Sequence, residues 1–219
     1  MKKLIFLLLI GFTVSVRADR QTNAVPATEV SRPSVATIVC IRHGEKPPGG
    51  LGQLTCRGLN RALALPDVLL SKYGKPQFMF APNLTQKVDR GAYYYVRPLA
   101  TIEPTAIRCS LPVNTEFGYR EIEGLERELR KPIYQRATVF IVWEHLMLAD
   151  FAKALVKHHG GDPAQVPTWP DEDYDTIFVF KITKDAGRGS LAFTIDHEGL
   201  NNLSDTCPGP AEASPANGK

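Results

Sequence analysis

The segment Val35–Pro47, which reads VATIVCIRHGEKP, decides how the rest of the chain is interpreted. Its first seven residues are β-branched or small and carry no charge, a pattern typical of a strand buried on both faces of a parallel sheet. The run ends at Arg42-His43-Gly44, and ligands of open α/β sheets bind just beyond the carboxyl ends of strands. A guanidinium matches phosphate oxygens and a neutral imidazole can attack phosphorus, so this strand end indicates phosphoryl chemistry. The alternative is a solvent-exposed Arg-His pair at the end of a strand.

A second segment repeats this arrangement. Residues 137–143 form another apolar run, which ends in Glu144-His145 and is followed by apolar residues at helical spacing up to the Gly160-Gly161 stop. If the two strands are neighbours, His43 and His145 come together. Arg97 precedes Pro98 at a predicted helix start, so it should face the same strand ends. Two arginines and two histidines could surround a phosphate without a metal ion.

Composition limits the other function classes. The chain has 219 residues, 43% of them hydrophobic, which is enough for one domain with its own core. Residues 1–18 resemble a secretory signal peptide, with Lys2 and Lys3 before an apolar run too short to span a bilayer comfortably. Cleavage near Ala18 would also remove Arg17 and leave 23 basic against 23 acidic residues. A neutral mature domain gives no support for nucleic-acid binding. We expect a periplasmic or secreted protein without a stable membrane span.

The domain limits follow from the same features. Residues 19–34 are predicted to be a flexible leader, residues 35–204 the folded domain and residues 205–219 a disordered tail that Cys207 could tether. Cys40 lies within the first strand and is expected to stay a buried thiol, which leaves at most one disulfide among Cys56, Cys109 and Cys207. No cysteine or histidine spacing resembles a zinc site, so no structural metal and no cofactor are predicted.

The remaining elements are predicted from hydrophobic periodicity and from Gly and Pro positions. The expected fold is a three-layer α/β sandwich, a mostly parallel sheet with helices on both faces. Its further predicted elements are a helix over 57–70 capped by Thr55 and kinked or interrupted at Pro66, a strand at 77–81, a short helix from Arg97 limited by Pro104, a strand within 106–113, a surface helix over 119–130 and an edge hairpin formed by 176–182 and 190–195.

These residues resemble the histidine phosphatase superfamily, also called phosphoglycerate mutase-like. The resemblance covers about residues 35–160 and rests, in order, on Arg42-His43-Gly44-Glu45 after a strand, Leu54-Thr55 with Gly58 and Arg61-Ala62 at the next helix, Arg97 with Thr101, and His145 after a strand. It implies that His43 is the nucleophile that becomes phosphohistidine. It also implies that Arg42, Arg97 and His145 bind the phosphate.

The proton donor departs from the family pattern. Many members carry a glutamate after the third strand, and Glu116, Glu121 and Glu123 lie there without a clear motif. Glu121 is preferred, with Glu144 and Asp175 as further candidates; each could instead be a solvated surface carboxylate.

The resemblance implies an exported, metal-independent phosphatase that hydrolyses phosphomonoesters. Its substrate would be a small phosphorylated molecule, such as a sugar phosphate or an envelope glycan phosphate. Two alternatives stay open: a noncatalytic phosphate-binding or envelope-interaction protein on the same fold, and a phosphotransferase or mutase.

Four other basic residues have two interpretations each. His158 and His159 are explained by the negative end of a helix dipole more simply than by metal binding. Arg57 and Arg61, one helical turn apart, could line the substrate rim or form a solvated face.

Overall fold

A computed structural model describes residues 33–185 and 188–209 of the chain. The predicted signal peptide, the leader up to residue 32, the hairpin turn at 186–187 and the last ten residues of the predicted tail lie outside the described residues. The described elements, in chain order, are β1 (Ser34–Arg42), α1 (Cys56–Tyr73), β2 (Phe78–Phe80), β3 (Lys87–Val88), β4 (Tyr93–Tyr94), α2 (Arg97–Cys109), β5 (Val113–Asn114), α3 (Ile122–Glu128), β6 (Thr138–Trp143), α4 (His145–His158), β7 (Thr176–Asp185) and β8 (Arg188–His197), with short 3₁₀ turns at Pro132–Tyr134 and Pro163–Gln165.

The main sheet has six strands in the order β5-β2-β6-β1-β7-β8. The first four of these run parallel, whereas β7 is antiparallel to β1 and β8 is antiparallel to β7. The hairpin of β7 and β8 therefore ends the sheet at one edge, as its turn signals predict. β3 and β4 form a separate two-stranded ribbon in the long connection between β2 and α2.

Helices cover both faces of the sheet, as the uncharged strand sequences predict. Successive residues of a strand point to opposite faces. Ile38 and Cys40 of β1 therefore pack with the residues of α3 and α4, and Val39 and Ile41 pack with those of α1 and α2. The result is the predicted three-layer α/β sandwich.

The structure differs from the predicted effects of two prolines. Pro66 does not interrupt α1, and the prediction that Pro104 limits α2 was wrong, because α2 continues to Cys109. The apolar residues on either side explain why. Leu65 and Leu69 of α1, and Ile102 and Ala106 of α2, are fully or nearly fully buried against the sheet, and this packing offsets the hydrogen bond that each proline removes.

The strand predicted within 106–113 and the helix predicted over 119–130 were wrong in extent. Residues 106–109 belong to α2, and the strand is only β5. The helix is the shorter α3, whose Ile122 and Leu125 are buried. The N-cap prediction for α1 is confirmed, since the Thr55 side chain accepts a hydrogen bond from the Gly58 N–H at 3.1 Å.

One disulfide joins Cys56 at the start of α1 to Cys207, whereas Cys40 and Cys109 are buried thiols. The sequence predicted at most one bridge among Cys56, Cys109 and Cys207 and left the pairing open, which the structure gives as Cys56 with Cys207. Within the described residues, no helix has the length and apolar character needed to cross a membrane.

Candidate active site

The two strand ends that carry histidine are neighbours. β1 and β6 pair in parallel with Arg42 opposite Trp143, and the backbone N–H of His43 donates to the Trp143 carbonyl at 3.0 Å. His43 and His145 therefore leave the same edge of the sheet side by side. Arg97 reaches that edge as the first residue of α2, with Pro98 directly after it as a helix start favours.

The His43 ring is held in one orientation. It is 2% exposed, and its Nδ1 lies 2.7 Å from the carbonyl oxygen of Gly44, which can only accept a hydrogen bond. Nδ1 therefore carries the proton, and Nε2 keeps its lone pair. Burial, followed by the positive charge of Arg97, holds the pKa of His43 well below its ordinary value of 6.5. The imidazole is neutral at neutral pH, and its unprotonated nitrogen faces the site.

Two glycines let the loop after β1 lie against α1. A Cβ atom on Gly58 would stand 2.6 Å from the Glu45 carbonyl oxygen, and one on Gly44 would stand 2.9 Å from the Gly58 carbonyl oxygen. The N–H of Gly44 also donates to Thr101 Oγ1 at 2.9 Å. The backbone that orients His43 is thus fixed by both α1 and α2.

Arg42 is fully buried, and only some of its hydrogen-bond donors have partners. Its Nη1 donates to the carbonyl oxygens of Pro170, Asp171 and Asp173 at 3.3, 2.6 and 3.0 Å, and its guanidinium lies 3.9 Å from the centre of the Tyr174 ring. Nε and Nη2 are buried and have no hydrogen-bond partner among the described residues. A buried unpaired donor costs about 1 to 3 kcal/mol, so these two atoms suit an anion bound from outside.

Arg97 connects His43 to the loop that carries Asp89. Its Nε donates to His43 Nε2 at 3.3 Å, while its Nη1 contacts the Gly50 carbonyl oxygen and Asp89 Oδ2 at 3.3 and 3.2 Å. The buried Tyr95 ring lies below the guanidinium at 4.8 Å and meets the edge of the His43 ring at 5.9 Å between centroids.

His145 lies between two carboxylates. Its Nδ1 is 2.6 Å from Glu144 Oε1, and its Nε2 is 2.8 Å from Asp171 Oδ1. Glu144 also accepts the Met147 N–H at 2.9 Å and so caps α4. Burial acts to raise the pKa of Glu144, but the hydrogen bonds from His145 and Met147 outweigh burial and the pKa lies below its ordinary value. Glu144 is therefore ionised and suited to orienting His145.

The other predicted proton donors make their hydrogen bonds elsewhere. Glu121 Oε2 accepts the Gly118 N–H at 2.7 Å, and Asp175 Oδ1 accepts the Leu200 N–H at 3.0 Å. The structure gives Glu116 and Glu123 no hydrogen bond or ion pair with any of the four predicted site residues. The assignment of a proton donor among these residues stays a prediction.

Sequence reasoning missed the loop 168–174 (TWPDEDY), which brings Asp171 and Tyr174 over Arg42, His43 and His145. It also missed Asp89. The concentration of acidic and aromatic residues just before β7 was the available signal, but nothing in it reveals where a loop folds.

Arg61 is neither at a substrate rim nor solvated. It is 1% exposed and pairs with Glu45 at 2.8 Å and with Glu198, so it links the loop after β1 to the chain after β8. Arg57 pairs with Asp205 at the surface at 2.8 Å.

His158 ends α4, as the dipole interpretation predicts. No group of three potential metal ligands occurs within residues 33–185 and 188–209.

A cavity of about 780 Å³ opens beside the site. It is lined by the loop 46–50, by Asp89 and Arg90, and by Tyr174. Asp89 and Gly50 also contact Arg97, so the cavity lies directly next to the candidate phosphate site. Lys46 and Arg90 are exposed there and form no ion pair with any described residue. The cavity therefore presents net positive charge.

Comparisons with known proteins identify the fold. No family model matches the sequence, and no curated protein matches it significantly. A solved structure of mycobacterial glucosyl-3-phosphoglycerate phosphatase with inorganic phosphate matches 74% of this chain and 95% of its own chain, at 16% identity and a TM-score of 0.50. SixA from Nakamurella multipartitia matches 74% of this chain and 96% of its own, at 16% identity and a TM-score of 0.49. A phosphoglycerate mutase from Bacillus anthracis str. Sterne matches 76% and 94%, at 12% identity and a TM-score of 0.43. The described part of the chain therefore has the fold of the mycobacterial glucosyl-3-phosphoglycerate phosphatase.

Proposed function

We propose that this protein is a phosphatase that hydrolyses small phosphomonoesters through a phosphohistidine on His43. The observation that carries the proposal is the state of the His43 ring. Its Nδ1 proton is held by the Gly44 carbonyl, and its buried, neutral Nε2 lies 3.3 Å from an arginine nitrogen. An oriented imidazole with an unprotonated nitrogen beside an arginine is what attack on a phosphate requires.

Arg42, Arg97 and His145 bind the phosphoryl group in this account. The two unpartnered donors of Arg42 offer it hydrogen bonds, and Arg97 exchanges its contact with His43 Nε2 for the phosphoryl oxygens. The two arginines stabilise the charge of the transferring group, and the reaction needs no metal ion. A second step, attack of water on the phosphohistidine, releases phosphate.

The cavity beside the site supports a small polar substrate. Its volume of about 780 Å³ suits a phosphorylated sugar or a phosphorylated glycan end, and Lys46 and Arg90 would favour substrates with additional negative charge. Among the structural neighbours, the mycobacterial enzyme is named for the phosphatase reaction on glucosyl-3-phosphoglycerate.

We also propose that the enzyme acts outside the cytoplasm, in the periplasm or after secretion. The signal-peptide pattern of residues 1–18 and the bridge between Cys56 and Cys207 support this, because disulfides persist in oxidising compartments. Mass spectrometry of the protein recovered from the periplasmic or culture fraction should find an amino terminus near residue 19. Recovery only from the cytoplasm with residues 1–18 intact would contradict the proposal.

The function is tested by hydrolysis of 4-nitrophenyl phosphate by residues 19–219 in excess EDTA. Turnover should continue in the chelator and vanish in His43→Ala, whereas His158→Ala, at the exposed end of α4, should keep wild-type activity. Circular dichroism verifies that His43→Ala is folded. Equal rates in the wild type and His43→Ala would refute the proposal, and vanadate binding without turnover would favour the noncatalytic phosphate-binding alternative.

A further inference from the structure

The loop 168–174 places one exposed carboxylate directly on the candidate phosphate site. Asp171 Oδ1 lies 2.8 Å from His145 Nε2, and the carbonyl oxygen of the same residue accepts a hydrogen bond from Arg42 Nη1 at 2.6 Å. Asp171 thus contacts two of the three residues that bind phosphate in the proposed function. Its side chain is nevertheless 76% exposed.

Two other carboxylates, those of Glu144 and Asp89, contact these site residues, and each also accepts a backbone N–H hydrogen bond. Glu144 contacts His145 Nδ1 with one oxygen and caps α4 with the other. Asp89 Oδ2 accepts from both the Gly52 N–H and Arg97 Nη1. Among the carboxylate side chains of the described residues that contact the predicted phosphate-binding set, Asp171 alone is mostly open to solvent.

The direction of attack points to a role for this exposed position. His43 directly follows β1 and is itself buried, so a phosphoryl group is attacked from the protein interior. In an in-line displacement, the leaving oxygen then departs on the opposite, solvent-facing side. An exposed carboxylate at the edge of the phosphate site can reach that oxygen, whereas the two oxygens of Glu144 are already in contact with His145 and the Met147 N–H.

We propose that Asp171 is the proton donor for the alcohol that leaves, a proposal that rests on the proposed phosphatase function. The bound phosphoryl group displaces the Asp171 carboxylate from His145 and takes its place. Two neighbouring anions of this kind readily share a proton, because like charges disfavour the doubly ionised state. The protonated Asp171 is then hydrogen-bonded to the phosphate ester.

The proton is accounted for in both steps. First, the bond between His43 Nε2 and phosphorus forms, the bond from phosphorus to the ester oxygen breaks, and the Asp171 proton passes to that oxygen as the alcohol leaves. Second, the Asp171 carboxylate takes a proton from water while the water oxygen bonds to phosphorus and the nitrogen–phosphorus bond breaks. Free phosphate leaves, and Asp171 is again protonated.

The test compares leaving groups in Asp171→Asn. With glycerol phosphate, whose alkoxide is a poor leaving group, kcat/KM should fall by about 10²- to 10³-fold. With 4-nitrophenyl phosphate, whose phenolate leaves without a proton, kcat/KM should fall less than about tenfold. A burst of nitrophenol should also appear, because loss of the base slows the second step.

The neighbouring Glu172→Gln is the matched control. It removes the same charge from the same exposed loop, and both of its kcat/KM values should equal those of the wild type.

Three results would overturn the assignment. An equal loss with both substrates would make Asp171 a positioning residue, and no loss would remove it from the mechanism. A lower KM with a higher rate would make it an anion that merely competes with phosphate for His145. If the wild type formed no phosphohistidine and hydrolysed neither ester, the proposed function itself would fail, which is a separate outcome.

Discussion

Burial and nearby positive charge both lower the pKa of His43. Desolvation and the nearby cation Arg97 both disfavour a protonated imidazole, so the pKa of His43 lies well below 6.5. An enzyme that uses this ring as a nucleophile keeps it reactive in mildly acidic surroundings, where an ordinary exposed histidine would be protonated.

Removal of the Arg97 charge should raise the pKa of His43. In Arg97→Gln the side chain keeps hydrogen-bonding groups but loses the cation 3.3 Å from Nε2, so the imidazole should protonate at a higher pH than in the wild type. Imidazole NMR titration measures this directly, with His43→Ala to assign the resonance. An unchanged or lower pKa would show that burial alone sets the protonation state.

Glu198 should make the protein less stable as pH rises. Burial raises its pKa to about 8, against the attraction of Arg61, so the folded state holds a proton that an unfolded carboxyl releases near pH 4 to 5. The contribution of Glu198 is therefore fully present below that range and is lost as pH rises toward about 8, at a slope of at most about 1.4 kcal/mol per pH unit.

The Glu198 effect is measured by urea unfolding between pH 5 and 9. Glu198→Gln cannot ionise, so its stability relative to the wild type should improve from pH 5 to about pH 8 and then level off. A stability difference that does not change with pH would mean that Glu198 is ionised throughout, as a full ion pair with Arg61.

At the scale of elements, the site depends on how closely α1 approaches the loop after β1. Gly58→Ala would place a methyl group 2.6 Å from the Glu45 carbonyl oxygen. The methyl carbon is bonded directly to the backbone and the oxygen is itself a backbone atom, so no side-chain rotation can relieve the contact. We expect a loss of about 1 to 3 kcal/mol in the free energy of unfolding, together with reduced activity because the carbonyl that holds His43 shifts.

Gly209→Ala is the control for that substitution, since a Cβ there meets no atom within 4 Å. Its effect on stability should stay within about 0.5 kcal/mol. If Gly58→Ala were equally neutral in unfolding and in turnover, the close contact would not constrain the loop.

The elements themselves differ in how well sequence predicts them. β1 and β6 were predicted because runs of uncharged β-branched residues specify buried strands, and the parallel pairing of these strands then places His43 beside His145. The helices with proline inside were predicted too short. Local rules treat proline as a stop signal, whereas burial of Leu69 and Ile102 against the sheet decides the actual length.

At the scale of the whole molecule, contacts between distant parts of the chain complete the site. The loop 168–174 lies over Arg42 although about 130 residues separate them. No local pattern encodes such a contact, so Asp171 and Tyr174 could not be predicted, whereas Arg42, His43, Arg97 and His145 could be named from strand ends and a helix start.

The disulfide is a second long-range contact, and its loss should weaken the fold without disabling the site. It ties the chain after β8 to the start of α1 across 151 residues of sequence. Cys207→Ser should lower the free energy of unfolding by about 2 to 4 kcal/mol and leave the kcat of folded protein near the wild-type value. Reductant should destabilise the wild type but not the variant; equal sensitivity to reductant would argue against the bridge.

Trapping the phosphoenzyme tests directly whether His43 is the nucleophile. The wild type is mixed with a ³²P-labelled aryl phosphate, quenched within milliseconds in base, where phosphohistidine survives, and digested for mass spectrometry. We expect one labelled peptide, with the phosphate on His43, formed and consumed at rates that match turnover. Turnover without label on His43, or with label on another residue, would contradict it.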